Sequence, residues 1–284
     1  MLDFPADGRL ALEMLSSDMK VYIITDLEGA TGVFKFSQTR DRQNPEYRDA
    51  VRLLMGDIEA VAEGLRQAGA TDIWCLDGHG GGDNVIPELM ATGVRYVTGC
   101  SRGCPVWGLD ESFDAVVLVG YHSMNGTPDG VLHHTQSSLS ESKYWYDGVE
   151  RGEIYQCAVL AGHFDIPVIL VTGDEAACRE ARATLGDDLP TVSVKTGIHR
   201  EAAVLMAPGD TRTLLAEGAR RALADLNKRK PYKPQFPVAL TIRSLGAAAG
   251  LHRGRRGEPG TARGVSVREA GVDQSGQANL QDRV

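Results

Sequence analysis

Short apolar runs, each ended by a polar turn and separated from the next by a helix-like stretch, constrain this chain more than any other feature. Val21-Tyr22-Ile23-Ile24-Thr25, Ile73-Trp74-Cys75-Leu76, Ala115-Val116-Val117-Leu118-Val119 and Pro167-Val168-Ile169-Leu170-Val171 lack polar alternation, as strands covered on both faces do. Between the first two, Asn44 suits a helix N-cap and Pro45 a first helical position. Val51, Leu54, Ile58, Val61 and Leu65 then recur at three- and four-residue spacing, and Gly69 is placed to stop the helix. Strand–helix–strand order predicts an α/β fold, a mostly parallel sheet flanked by helices. Further helices are expected over residues 153–162, 176–184 and 211–227, and further strands over 191–194 and 238–242.

With 284 residues the chain can bury a large core, and residues 19–243 are expected to form the folded unit, in one or two subdomains. Residues 1–18 read as a disordered extension. Residues 244–284, rich in Gly, Ala and Arg and without an aromatic side chain, read as a disordered tail. A net charge of -8 argues against nucleic acid as partner. No apolar run reaches the roughly 20 residues that span a bilayer, and the N-terminus has no signal-peptide pattern, so no membrane role is expected. Cys75, Cys100, Cys104, Cys157 and Cys178 form no paired framework and fit reduced thiols in the cytoplasm.

The polar residues at the strand ends carry the chemistry. Asp26 and Glu28 follow the first run, His79 the second within Asp77-Gly78-His79-Gly80, and His122 the third. Ligands of open parallel sheets bind beyond the carboxyl ends of the strands, and side chains two apart in an extended segment point the same way. Each residue has a plain structural reading: a capping turn for Asp26 and Glu28, a solvated loop for His79, a satisfied core histidine for His122. Their coincidence at three strand ends favours a shared metal site. Mixed carboxylate and imidazole ligands suit zinc, and two neighbouring ions suit hydrolysis. Two rivals remain open at this point. Asp26-Leu27-Glu28-Gly29 with Gly173-Asp174-Glu175 fits a magnesium-dependent phosphohydrolase using Asp26 as nucleophile. A non-catalytic metal- or peptide-binding protein would use the same ligands without turnover.

Residues 22–33 (YIITDLEGATGV), 76–80 (LDGHG), 119–126 (VGYHSMNG), 131–135 (VLHHT), 152–153 and 168–174 (VILVTGD) together resemble the zinc-dependent D-aminopeptidases associated with dipeptide-transport operons. The similarity runs from about residue 20 to 243. It implies two zinc ions per chain, with Asp26 bridging them, Glu28 and His79 completing one site, and His122 and Glu153 the other. It adds Glu153, which the pattern alone reads as a favourable first-turn charge. It also implies His134 as the catalytic histidine, with His133 as the adjacent alternative. The expected substrate is a short peptide with an N-terminal D-residue, and the expected assembly a ring-like homo-oligomer.

Overall fold

The computed structural model describes residues 18–99, 105–244, 266–272 and 278–280. Residues 1–17, most of the expected extension, and the pair Cys100 and Cys104 lie outside this set. The strands are β1 (Lys20–Thr25), β2 (Asp72–Asp77), β3 (Val94–Val97), β4 (Ala115–Tyr121), β5 (Lys143–Tyr146), β6 (Val149–Glu150), β7 (Val168–Asp174), β8 (Thr191–His199), β9 (Ala202–Leu205), β10 (Val238–Ser244), β11 (Ser266–Val272) and β12 (Ala278–Leu280). The α-helices are α1 (Pro45–Gln67), α2 (Glu153–His163), α3 (Glu175–Leu185) and α4 (Pro208–Ala224).

A seven-stranded sheet ordered β3-β2-β1-β4-β7-β8-β9 forms the centre. Its pairings are parallel except that between β8 and β9. The lack of polar alternation in the strands has a direct cause. Val21 and Ile23 face a core shared with α1 and α4, while Tyr22 and Ile24 face a second core shared with α2 and α3. Both faces are dry, so both parities are apolar. α1 starts where expected: the Asn44 side chain accepts from the Glu46 amide at 3.0 Å and Pro45 is the first helical residue.

From β1 the chain builds outward to β2 and β3 on one side, then returns to lay β4 against the other side of β1. The switch point therefore lies between the carboxyl ends of β1 and β4, where such sheets open a crevice.

A second, antiparallel sheet runs β12-β11-β10-β5-β6. The β5–β6 hairpin turns through Asp147 and Gly148, with φ of 50° and 79°, the left-handed pair that a two-residue hairpin loop requires. It delivers the chain to the start of α2. Within the segment 244–284, read as a tail, the described residues are Ser244 and the strands β11 and β12. Ladder bonds to β10 are made by backbone, so a segment poor in apolar periodicity can still pair with an open strand edge. The rest of that tail lies outside the described residues.

Candidate metal centre

The turn after β1 is packed backbone to backbone against the turn after β4. The Asp26 amide donates to the Val119 carbonyl at 2.8 Å, and the Gly29 amide to the Gly120 carbonyl at 2.7 Å. A Cβ on Gly29 would lie 1.9 Å from the Tyr121 oxygen, and one on Gly120, whose φ is +75°, 2.2 Å from the Asp26 oxygen. Only glycine at both positions allows this approach. Behind the turn, the buried Lys195 on β8 donates from Nζ to the carbonyls of Glu28 at 2.6 Å, Ala30 at 2.8 Å and Val33 at 2.5 Å. The Thr31 amide donates to Asp57 Oδ2 at 2.8 Å. The loop that carries Asp26 and Glu28 is thus held from three sides.

His79, after β2, and His122, after β4, enter from either side of Asp26. His79 Nδ1 lies 3.0 Å from Asp26 Oδ1 and 2.9 Å from Glu28 Oε2. His122 Nε2 lies 3.2 Å from Asp26 Oδ2 and 3.5 Å from Glu153 Oε1. The outer nitrogens fix the tautomers, since His79 Nε2–H donates to the Thr39 carbonyl at 2.9 Å and His122 Nδ1–H to the Ser123 carbonyl at 2.9 Å. In the neutral rings, lone pairs on His79 Nδ1 and His122 Nε2 then face carboxylate lone pairs. Glu28 Oε2 and His122 Nε2 are buried without a hydrogen-bond partner, a costly arrangement unless a cation sits among them.

The donor set passes a simple geometric test for zinc. Ligands held tetrahedrally at about 2.0–2.1 Å from an ion stand about 3.3 Å apart, and the spacings here run from 2.9 to 3.5 Å. Asp26, Glu28 and His122 form one close group, and His122, His134 and Glu153 another. The outer hydrogen bonds on both imidazoles are those that orient metal-binding histidines.

The second side of the site comes from α2 and from the loop after β4. Glu153 opens α2, and its Oε1 accepts the Gln136 amide at 2.7 Å. His134 Nδ1–H donates to the Leu132 carbonyl at 2.8 Å, leaving Nε2 facing Glu153 Oε1 at 4.0 Å. The His134 ring stacks on His122 with centroids 4.0 Å apart. His133 turns away, its Nδ1 accepting the Gly126 amide at 3.0 Å, so of the two histidines only His134 faces the cluster. Leu132 and Gln136, flanking His134, have φ of +52° and +67°, strain of the kind that gathers at functional loops. The loop is held by the Val131 amide on Asp174 Oδ2 at 2.7 Å and the Leu132 amide on the Arg200 carbonyl at 2.7 Å.

Electrostatics agree with a cation-binding pocket. Burial opposes charge on His79, but Glu28 and Asp26 lift its pKa well above the usual imidazole value. Burial likewise opposes charge on His122, and Asp26 and Glu153 overcome it. Asp26 is held well below the usual carboxylate range, its burial outweighed by the two histidines. In the metal-free protein, protons fill the places that a cation would take.

Of two residues that support the site, Lys195 escapes a reading by strand ends, and Asp174 enters it only as part of the phosphohydrolase alternative. Lys195 sits one position after the expected strand 191–194, and a lysine continuing such a run was the available signal. Asp174 caps α3 through the Ala177 amide at 3.0 Å while holding Val131. Both its oxygens are thereby engaged by backbone, which leaves it poorly suited to be the distal metal ligand of a phosphohydrolase.

With this geometry in view, the chain was compared with known proteins. Residues 19–250 match the family model described as D-aminopeptidase. The chain belongs to the D-aminopeptidase family. Among relatives of this family, the D-aminopeptidase of Bacillus subtilis strain 168 is 30% identical over 231 residues, covering 79% of this chain and 81% of the relative. A solved structure, the Zn-dependent D-aminopeptidase DppA from Bacillus subtilis, described as a self-compartmentalizing protease, superposes with a TM-score of 0.75 at 27% identity, over 80% of this chain and 82% of that one. The expected α/β architecture is that of this family.

Proposed function

We propose that this chain is a zinc aminopeptidase with two ions per chain, releasing an N-terminal D-amino acid from short peptides or amides. The observation that carries this reading is the shared carboxylate: Asp26 turns Oδ1 toward His79, which also meets Glu28, and Oδ2 toward His122, which also meets Glu153. Asp26, Glu28 and His79 would hold one ion, and Asp26, His122 and Glu153 the other. Zinc bound there supplies a water of near-neutral pKa and polarises the scissile carbonyl.

His134 performs the proton transfers. Its Nδ1–H is committed to the Leu132 carbonyl, so Nε2 alone exchanges a proton. Burial, then the neighbouring His122, lowers its pKa from the usual imidazole value, which keeps Nε2 unprotonated and ready to accept. The proton taken from the attacking water passes to the leaving amine nitrogen, and His134 returns to its starting state. The strained loop holds this ring in place, a condition of efficient transfer.

The preference for a D-residue is supported by membership of the D-aminopeptidase family. The self-compartmentalizing relative likewise supports a homo-oligomer, ring-like in form, built from a catalytic unit spanning residues 19–243. Among the described residues no helix is long and apolar enough to cross a membrane. Cys75, Cys157 and Cys178 are free thiols, which suits a cytoplasmic location.

The test is hydrolysis of D-alanyl and L-alanyl amides side by side, with and without a chelator, followed by zinc. Turnover of the D-substrate alone, abolished by chelator and restored by zinc, is expected. Equal or preferential turnover of the L-substrate would remove the chiral assignment, and chelator-resistant turnover would remove the metal.

A further inference from the structure

The far edge of the main sheet is unusually bare. Residues 202–209 (AAVLMAPG) contain no side chain able to hydrogen-bond, yet most of this run is exposed. Val204 is 60% exposed, and Ile198, across the hairpin, is 65% exposed. Leu205 and Met206 continue the patch toward α4. Thr196 pairs with Val204 across the strands, and the register shift between Gly197 and His199 leaves Ile198 unpaired in the ladder beside this pair. β9 is also the last strand of its sheet, paired only with β8 among the described residues. The pairing is irregular between Gly197 and His199, but β9 itself carries no charge or proline, and an apolar edge strand of this kind invites pairing that folded proteins avoid unless it is covered.

The same hairpin leans on the catalytic loop. A Cβ on Gly197 would lie 2.0 Å from the Asp129 carbonyl oxygen. The Arg200 carbonyl accepts the Leu132 amide at 2.7 Å, and Leu132 in turn accepts from His134 Nδ1. Glu201 Oε1 accepts the Phe36 amide at 2.8 Å on the other side of the site. The tip of β8–β9 is therefore one hydrogen bond from the residue that orients His134.

We infer that the β8–β9 hairpin, with residues 202–209, is the surface on which a second copy of this chain seats, and that the seated copy holds the His134 loop in its working position. This rests on the homo-oligomer reading above, and adds to it which surface assembles and why assembly matters for turnover. A second copy fits the patch better than a polar ligand, because an uncharged, hydrogen-bond-free strip offers a ligand only apolar contact and an open strand edge. The structural relative's description as self-compartmentalizing supplies independent reason for contacts between copies.

The test is the double variant Ile198→Asp/Val204→Asp in the full chain loaded with zinc, measured by light scattering, metal content and turnover. Both side chains lie on the surface, so the single chain tolerates the change. The expected result is a particle of one chain's mass, 30.6 kDa, with two zinc ions retained and kcat reduced about 10- to 100-fold through misplacement of His134. Amide exchange on the unaltered protein provides a measurement free of any folding defect. Residues 197–209 should be protected at high concentration and exposed on dilution to single chains. An unaltered protein that is a single chain at every concentration would overturn the oligomer reading itself. A variant that keeps the parent's mass would overturn the surface while leaving the oligomer intact, and a single-chain variant with full kcat would overturn the link to His134. Protection that survives dilution but is lost on removing residues 1–17 would assign the cover to the chain's own N-terminus and overturn the proposal.

Discussion

Replacing Lys195 by methionine separates the support of the centre from its ligands. The ammonium donates to the carbonyls of Glu28, Ala30 and Val33 and is buried. Three hydrogen bonds from a charged donor contribute about 1.5–3 kcal/mol each, so about 4.5–9 kcal/mol in all. Against this stands the cost of burying the charge. Burial pushes the Lys195 pKa down to about 8 despite Asp174, Asp57, Glu28 and Asp26, and a depression of that size corresponds to about 3 kcal/mol. Lys195→Met should therefore destabilise the metal-free protein by about 2–6 kcal/mol, the balance of those terms. The three orphaned carbonyls will turn toward water, and the loop will carry Glu28 with them. Urea unfolding of the metal-free protein measures the first effect. Chelator competition, resolving the two zinc ions, measures the second: the ion held by Glu28 and His79 should weaken far more than the one held by His122 and Glu153. Unchanged stability with both ions at the parent's affinity would show that Lys195 does not hold the loop, and the reasoning would fail.

Other expectations follow from the same geometry. His134→Ala should retain both zinc ions while kcat falls by about 10²–10⁴; loss of an ion would make His134 a ligand instead. Zinc binding at pH 7 should release protons from His79 and His122, since the surrounding carboxylates raise both imidazole pKa values in the metal-free site. Calorimetry in buffers of different ionisation enthalpy reads this directly, and heats independent of buffer would contradict it. Asp57 provides a pH test away from the ligands. Burial raises its pKa to about 6, against the pull of Thr31, Arg212 and Lys195. A raised carboxyl pKa means that the folded state disfavours the charge. Stability is then full below the unfolded pKa near 4, declines as pH rises to about 6, and stays reduced above it. Asp57→Asn, which keeps an oxygen for the Thr31 amide, should thus be more stable than the parent at pH 7 by up to about 3 kcal/mol, with no advantage at pH 4. An equal gap at both pH values would refute the assignment.

What could be read in the sequence was whatever depends on local periodicity or on strand ends. Four buried strands, the capped start of α1 at Asn44 and Pro45, and the clustering of Asp26, Glu28, His79 and His122 all follow from patterns within a few residues. β3, β5, β6 and β9 do not. They are short and largely half-exposed or exposed; for β5 and β6 the Asp147-Gly148 pair was the available signal, a two-residue hairpin turn between aromatic and β-branched neighbours. Glu153 was readable only by resemblance, because nothing local distinguishes a ligand from a first-turn glutamate that favours the helix dipole.

The less legible half of the molecule supplies its precision. Asp26 and His122 would be placed by any sheet with this strand order, since the switch point brings the ends of β1 and β4 together. Their separation to within a few tenths of an ångström depends on contacts that no periodicity encodes. Gly29 and Gly120 allow two turns to touch through backbone alone, Lys195 crosses from β8 to gather three carbonyls, and Asp174 ties the loop before His134 to the first turn of α3. Each joins segments far apart in the chain, and each uses a residue whose type alone suggests another role: a turn glycine, a surface lysine, a helix cap. A strand order can be shared by proteins of different chemistry, so the strand ends indicate where a site lies. It is this second set of contacts that separates a candidate metal centre, with two imidazole nitrogens aimed at one carboxylate, from a sheet edge that merely collects polar residues.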